Sequence, residues 1–377
     1  MTAFPTLGIL GGGQLGRMTA LAAIRMGLRV KTLAPQHEGP VAGLGDTVVA
    51  DWLDPAVLAE FARDCDTVTV ESEWAPAERV APVLEGRTKL FPTPGSLLLI
   101  RDKGIQKRTL AASGLPVPPF VACGTIDEAL EAAREFGFPV VLKRFRGSYD
   151  GYGNATTRSE QEIIDAWPGL ADRDGLLVEA WVPFEQELSV LVARRPGGQH
   201  VVYPVAYTEQ RDHRCHAVVV PANVSASVVA ESSRLAVQAA EAFGIVGLLG
   251  VELFLEPGGR VSINELAPRP HNTGHYSIEG CHTSQFENHV RAIMDWPLGD
   301  PSLRDRCAVM VNVLGHRSGL SRSDHLPEAL SIPGVAIHVY GKDTVRPRRK
   351  MGHVTVTGAD PIDVRARAER AAELINL

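Results

Sequence analysis

The sequence lacks a long apolar run: no stretch approaches the roughly 20 residues that cross a bilayer. Its first residues, Met1-Thr-Ala-Phe-Pro5, carry no basic segment followed by an apolar one. No export signal is therefore expected, and a cytoplasmic location is. Cysteine is scarce. Cys65, Cys123, Cys215, Cys281 and Cys307 are scattered, odd in number and without metal-binding pair spacing, which argues for buried reduced thiols over a disulfide framework. Excess positive charge is missing too. A net charge of −6 argues against a general nucleic-acid binder, because phosphate backbones are gripped by summed positive charge. Small phosphorylated ligands stay within reach of a few local cations. Internal repeats and low-complexity tracts are also absent. What remains is a globular composition, 45% hydrophobic and 22% charged, in 377 residues. That length is too great for one ordinary core, so two or three domains are expected.

The first 95 or so residues alternate strand and helix. Strands are expected at Thr6 to Leu10, Val30 to Leu33, Val48 to Ala50 and Thr67 to Val70, with a helix from Leu15 to about Met26. Asp54-Pro55 supplies an N-cap and a first-turn proline for a helix ending near Cys65. Such alternation predicts a parallel sheet covered on both faces. A boundary is expected near Phe91 to Gly95, then one helix carrying Arg101, Lys103 and Lys107. Strands follow at Val140 to Lys143, Leu176 to Glu179 and Leu188 to Val192, and a second boundary near Trp296-Pro297 sets off a smaller terminal domain. The expected division is 1–95, 96–298 with a lid lobe over about 119–183, and 299–377. The fold class is α/β and α+β.

Gly11, Gly13 and Gly16 satisfy G-x-G-x-x-G between a strand and a helix, where backbone N–H groups approach an anion closely. The acidic residue that holds a dinucleotide's ribose is missing, since the second strand runs into Ala34-Pro35-Gln36 and Glu38 lies beyond it. A nicotinamide site, a tight structural turn and a contact with another phosphorylated ligand all stay open. A second glycine segment, Gly147-Ser-Tyr149-Asp150-Gly151-Tyr-Gly153, follows a strand ending in Lys143. It reads as a polar hairpin loop or as a mobile phosphate-covering lid, in which Tyr149 and Asp150 orient a substrate amine or manage its proton.

Two apolar segments, Val251 to Leu255 and Val261 to Glu265, flank Pro257-Gly-Gly-Arg260. Symmetric pairing about a loop of two or four residues places Glu252 opposite Glu265, on one face. Facing carboxylates repel, and a hard divalent cation between them removes the repulsion, with Asn264 as a further oxygen nearby. Beyond Glu265, Arg269, His271, Asn272 and His275 crowd a stretch broken by Pro and Gly that cannot form a core element. It reads as a loop presenting donors to an anion, with a helix following through Ser284 to His289. Lys342, Arg346, Arg348, Arg349 and Lys350 form a late cationic cluster, either an exposed basic rim or the phosphate end of a site.

In series, five segments resemble the ATP-grasp superfamily and, within it, the 5-(carboxyamino)imidazole ribonucleotide synthases of purine biosynthesis. They are Leu10 to Met18, Tyr149 to Gly151, Ile263 to His275, Thr283 to Glu287 and Val345 to His353. The resemblance covers nearly the whole chain. It implies a Rossmann-like pre-ATP-grasp domain, a two-lobed grasp holding ATP, and a small C-terminal domain. Lys103 and Lys143 then meet the ATP phosphates, Glu179, Ala180, Trp181 and Val182 meet adenine, and Glu187 accepts from the ribose. Gln210, Asn264 and Glu265 complete the nucleotide's surroundings, and Glu252 and Glu265 hold Mg2+. Tyr149, Asp150, Arg269, His271, Asn272, Lys342, Arg349 and Lys350 surround 5-aminoimidazole ribonucleotide, with Glu73 near bicarbonate. The resemblance also implies a homodimer and raises contact with the downstream mutase. Ser148, Tyr152 and Asn154 depart from the family's lid pattern, Gln210 stands where a histidine is common, and Ser72 replaces a hydrophobic residue between Glu71 and Glu73. The implied reaction is ATP-dependent carboxylation of the ribonucleotide through carboxyphosphate. The alternatives are a sister enzyme joining formate to glycinamide ribonucleotide, a regulatory protein without turnover, and a nicotinamide oxidoreductase.

Overall fold

The computed structural model describes residues 4–377 except 38, 85, 87, 148–151, 212–213, 324 and 376. Five parallel strands open it, in the order Asp46–Val49, Arg29–Ala34, Thr6–Leu10, Thr67–Val70 and Lys89–Phe91. Asp54 caps the helix Pro55–Arg63 through Ala56 N, as its sequence predicts. The strand order reverses between Thr6–Leu10 and Thr67–Val70, so the glycine turn and the segment from Glu71 to Glu73 leave adjacent strands at the same edge. Such a crevice at the carboxyl ends is where open α/β sheets take ligands.

The single helix expected around Lys103 is two, Pro94–Arg101 and Lys103–Ala112. Asp102 between them is extended (φ −102°, ψ 117°), and its side chain accepts from Ile105 N to cap the second. An Asp that caps competes with helix continuity, and this break aims Lys103 inward.

A four-stranded antiparallel sheet follows, ordered Phe120–Cys123, Leu176–Ala180, Val140–Arg144 and Asn154–Thr157. The helices Ile126–Phe136 and Glu160–Leu170 cover one face around Ala133, Leu142 and Ile163. Thr125 and Glu128 form a capping box at the first of these helices.

The largest sheet is antiparallel. Its order is Val261–Ala267, Gly247–Leu255, Gln186–Arg194, Ala206–Arg211, Arg214–Val220, Cys307–Leu314, Lys350–Gly358 and Val335–Val339. It runs without a break through the region of residue 298, because Arg214–Val220 pairs with Cys307–Leu314. The helix Ala226–Ala242 closes the core of one half around Leu235, Phe243 and Leu249, and the helix Pro361–Leu374 closes the other around Val364 and Ala368. His289, fully buried in the helix Gln285–Ile293, ties the first sheet to the largest. Its Nδ1 accepts from Leu248 N (3.1 Å), which leaves Nε2–H to donate to Thr69 Oγ1 (3.0 Å). All five cysteines are buried and free. Among the described residues no helix is long and apolar enough to cross a membrane.

Candidate active site

The glycine turn meets an anion from its own chain. Gly13 N donates to Glu71 Oε2. A Cβ at Gly11 would stand 2.8 Å from the Cβ of Glu71, and one at Gly13 would stand 2.2 Å from its Oε1. Glycine is needed here because a carboxylate lies in the turn. That occupant also removes the geometry a dinucleotide's pyrophosphate requires. Glu71, Ser72 and Glu73 then line one wall of a cavity of about 830 Å³.

Beside them Glu73, buried, receives a fork from Arg269, Nε to Oε2 at 2.6 Å and Nη2 to Oε1 at 3.1 Å. Burial opposes ionisation of Glu73, but Arg269 outweighs it and holds the carboxyl below the usual range. This pair joins the N-terminal sheet to the loop after Glu265.

On the opposite wall, Lys143 Nζ reaches Glu179 Oε2 at 2.7 Å and Asn264 Oδ1 at 3.1 Å. The other oxygen of Glu179 faces Lys107, at 3.1 Å. Burial disfavours the charge on Lys143, yet Glu179 raises its pKa above the ordinary lysine value. Lys107 titrates at about 8, because burial there exceeds the pull of Glu179. Lys107 carried no functional reading in the sequence; it is a counter-ion sealed within the core. Ala180, Trp181 and Val182 continue the wall, with Phe184 stacked on Phe254 (4.8 Å, 7°) nearby. Glu187 follows, hydrogen-bonded to Gln210, its carboxyl raised chiefly by burial.

The floor holds the paired glutamates. Glu252 lies directly opposite Glu265, as expected, but by a different route. The ladder closes at Leu255 and Val261, so five residues connect the strands. That register alone would set Glu252 against Asn264. A bulge makes Asn264 the extra residue and restores the pair, leaving Glu252, Asn264 and Glu265 all on the cavity lining. Burial and the charge of Glu265 push the Glu252 carboxyl up to about 8. Lys103, ion-paired to Glu265, keeps that second carboxyl below its ordinary value against its own burial. Lys103 does not itself line the cavity. Among the described residues no three or more of His, Cys, Asp and Glu converge as metal ligands. Two carboxylates suit Mg2+, which takes one or two from protein and the rest from substrate phosphates and water.

The stretch after Glu265 is a loop, but it is far more buried than a solvated donor loop. His275 and Tyr276 are 1% exposed, and Asn272–Gly274 is a 3-10 turn. The fully buried Gln285 accounts for this: its Oε1 accepts from His271 N, while its Nε2 donates to His271 O and His275 Nδ1. Asn312 exchanges amide hydrogen bonds with Asn272 (2.7 and 2.9 Å) and donates to Cys215 O. Neither Gln285 nor Asn312 stood out as a site residue in the sequence, although Gln285 lies within one of the recognised motifs. Burial, then Arg269 and Lys350, drive His271 down to about 3, so its ring is neutral. Its Nδ1 pairs with Thr273 Oγ1 (2.9 Å), and its Nε2 lies 3.7 Å from Glu252.

The late cations divide. Lys350 lines the cavity. Lys342 is buried and donates to Lys350 O, and Arg349 donates to Thr344 O (3.0 Å); neither lines the cavity. Arg346 and Arg348 are exposed. The turn at Arg348 (φ +69°) splits a cluster that is continuous in sequence. Tyr149 and Asp150 lie outside the described residues.

Family models match a ribonucleotide synthetase preATP-grasp domain over residues 4–101, an ATP-grasp domain over 108–286, and a phosphoribosylaminoimidazole carboxylase C-terminal domain over 308–367. The N5-carboxyaminoimidazole ribonucleotide synthase of Synechococcus elongatus is 37% identical over 97% of this chain and 92% of its own. The crystal structure of the synthetase from Thermotoga maritima matches with a TM-score of 0.88, at 36% identity over 99% of both chains. A crystal structure of the Aspergillus clavatus enzyme with ADP and 5-aminoimidazole ribonucleotide matches with a TM-score of 0.89, at 32% identity over 100% of this chain and 99% of that one. The chain belongs to the N5-carboxyaminoimidazole ribonucleotide synthases of the ATP-grasp superfamily.

Proposed function

We propose that the chain uses ATP to carboxylate 5-aminoimidazole ribonucleotide with bicarbonate, releasing ADP and phosphate. The observation that carries this reading is the facing pair Glu252 and Glu265, which line one cavity together with Lys143 and the Arg269–Asn272 loop. Adenine is read by Ala180, Trp181 and Val182, and its ribose by Glu187 with Gln210. Lys143 and Lys103 supply positive charge to the phosphates, and Glu179 holds Lys143 charged despite its burial. Glu252 and Glu265, with Asn264 beside them, would hold Mg2+, which supplies charge neutralisation at the transferring phosphoryl group. Among protein groups the work is electrostatic, through donors fixed before the substrate arrives.

The γ-phosphoryl passes to bicarbonate, forming carboxyphosphate; this breaks down to phosphate and carbon dioxide, which the exocyclic amine captures. Arg269, His271, Asn272 and Lys350 face the ribonucleotide, and Glu73 orients Arg269. A neutral His271 offers a hydrogen bond without adding charge. Asp150 on the lid accepts the amine proton, and Tyr149 beside it orients the amine. Closure of the lid keeps water from hydrolysing carboxyphosphate. The resemblance implies a homodimer, for which we propose a cytoplasmic location, with the mutase that moves the new carboxylate to carbon as a candidate contact. It also supports domains at 1–95, 96–298 and 299–377, although the largest sheet is shared across the second boundary.

The test is phosphate release from ATP and Mg2+ with each acceptor omitted in turn. Turnover is expected to require the ribonucleotide and bicarbonate together. Turnover with formate and glycinamide ribonucleotide instead would replace this reading with the sister enzyme's.

A further inference from the structure

Four cations around the cavity, the buried Lys103, Lys107 and Lys143 and the half-buried Arg269, each have a carboxylate: Lys103 has Glu265, Lys107 and Lys143 share Glu179, and Arg269 has Glu73. Arg214 is different. It opens the strand Arg214–Val220, is 7% exposed and lines the cavity with Gln210 and Cys215. Among the described residues its guanidinium makes no ion pair and no hydrogen bond, and its Nε is buried without a partner. It lies instead against the Tyr152 ring, 5.1 Å from the centroid. Tyr152 stands at the end of the lid's glycine segment, just before the strand Asn154–Thr157, and is 54% exposed.

An unpaired buried charge costs several kcal/mol. The Tyr152 ring repays only part of that cost, and no ion pair or hydrogen bond among the described residues repays the rest, which points to a ligand. Guanidinium presents a planar fork that matches phosphate oxygens. Arg214 also sits between the two nucleotide ends of the cavity. Through Gln210 its hairpin touches Glu187, and through Cys215 O and Asn312 it touches Asn272.

We propose that Arg214 is a phosphate-binding residue of this cavity, clamped by Tyr152 of the lid, and that it engages a phosphate group of one of the two bound nucleotides. This rests on the ligase reading above. The two sources of that phosphate are the ATP polyphosphate and the 5′-phosphate of the ribonucleotide.

Arg214→Met and Arg214→Gln separate them. Affinities are measured by calorimetry for magnesium with the β,γ-imido analogue of ATP, for 5-aminoimidazole ribonucleotide and for its dephosphorylated nucleoside. Ligand-free melting temperatures are measured in parallel. The expected result is an unchanged or higher melting temperature, with a loss of about 10- to 100-fold in affinity for one nucleotide. Loss for the ATP analogue assigns the polyphosphate. Loss for the ribonucleotide but not the nucleoside assigns the 5′-phosphate. Affinities within about twofold of wild type for both nucleotides would overturn the proposal. So would a lower melting temperature with both affinities reduced alike, which marks a structural arginine. If Arg214→Met does not fold, Arg214→Gln decides by the same readings. Wild-type protein that fails to couple ATP to the ribonucleotide and bicarbonate refutes the ligase reading instead, and the binding arms still report on Arg214.

Discussion

Replacing Glu252 by Gln should stabilise the ligand-free protein while destroying its response to magnesium and ATP. In the wild type, burial and Glu265 raise the Glu252 carboxyl from 4.5 to about 8. The folded state therefore binds a proton more tightly than the unfolded one between those values. Stability present at low pH is lost as pH rises through this window, by about 1.4 kcal/mol per pH unit. Gln copies the neutral acid and does not titrate, so the variant escapes that loss. The two proteins should unfold alike near pH 5, and the variant should gain at least about 1 kcal/mol by pH 8. His271, depressed to about 3, stays neutral in both folded proteins over this range, and its titration in the unfolded chain is common to both and cancels. Urea denaturation from pH 5 to 8, with and without magnesium and ATP, reads both effects. Nucleotide with metal should stabilise the wild type far more than the variant. A variant less stable than wild type at pH 8, or a gap independent of pH, would refute the reasoning. Glu265→Gln should behave oppositely. It strands the buried Lys103 ammonium, and breaking a buried pair costs about 3–5 kcal/mol.

Lys143→Met should weaken ATP binding much more than ribonucleotide binding, because only ATP's phosphates need that cation; equal losses by calorimetry would make Lys143 structural. Arg269→Ala should raise the Michaelis constant for the ribonucleotide by about 10- to 100-fold, and an equal loss for the dephosphorylated nucleoside would remove the phosphate role. Asp150→Asn should keep near-normal affinity for magnesium and ATP while carboxylated product falls about 10²–10⁴-fold; product formed at the normal rate would sink its role as proton acceptor. His271 should show the nitrogen NMR shifts of a neutral ring from pH 5 to 8, and a protonated ring at pH 6 would contradict its burial-driven depression.

Local rules made much of the fold legible. Strand–helix alternation announced the parallel sheet, and Asp54-Pro55 announced a helix start that the structure reproduces. Long-range pairing was harder to read. Nothing local says that Glu71 will fill the glycine turn, because that contact depends on two strands becoming neighbours. The Glu252–Glu265 pairing emerged from a symmetric-loop argument whose register was off by one, and the bulge at Asn264 corrected it. Asp102 was read within a helix because its capping role depends on the backbone turning there. The cationic run from Lys342 to Lys350 looked like one surface. Its turn sends Lys350 to the cavity and leaves Arg346 and Arg348 in solvent. Arg214 gave no sequence signal, since an arginine opening a strand is ordinary until its surroundings are known.

The central claim is that ATP activates bicarbonate before the amine is carboxylated. It is tested most directly by running the reaction with bicarbonate labelled with oxygen-18 and analysing the released phosphate by mass spectrometry. Transfer through carboxyphosphate predicts one labelled oxygen in each phosphate formed, with labelled carboxylate in the product. Unlabelled phosphate accompanying labelled product would contradict the account.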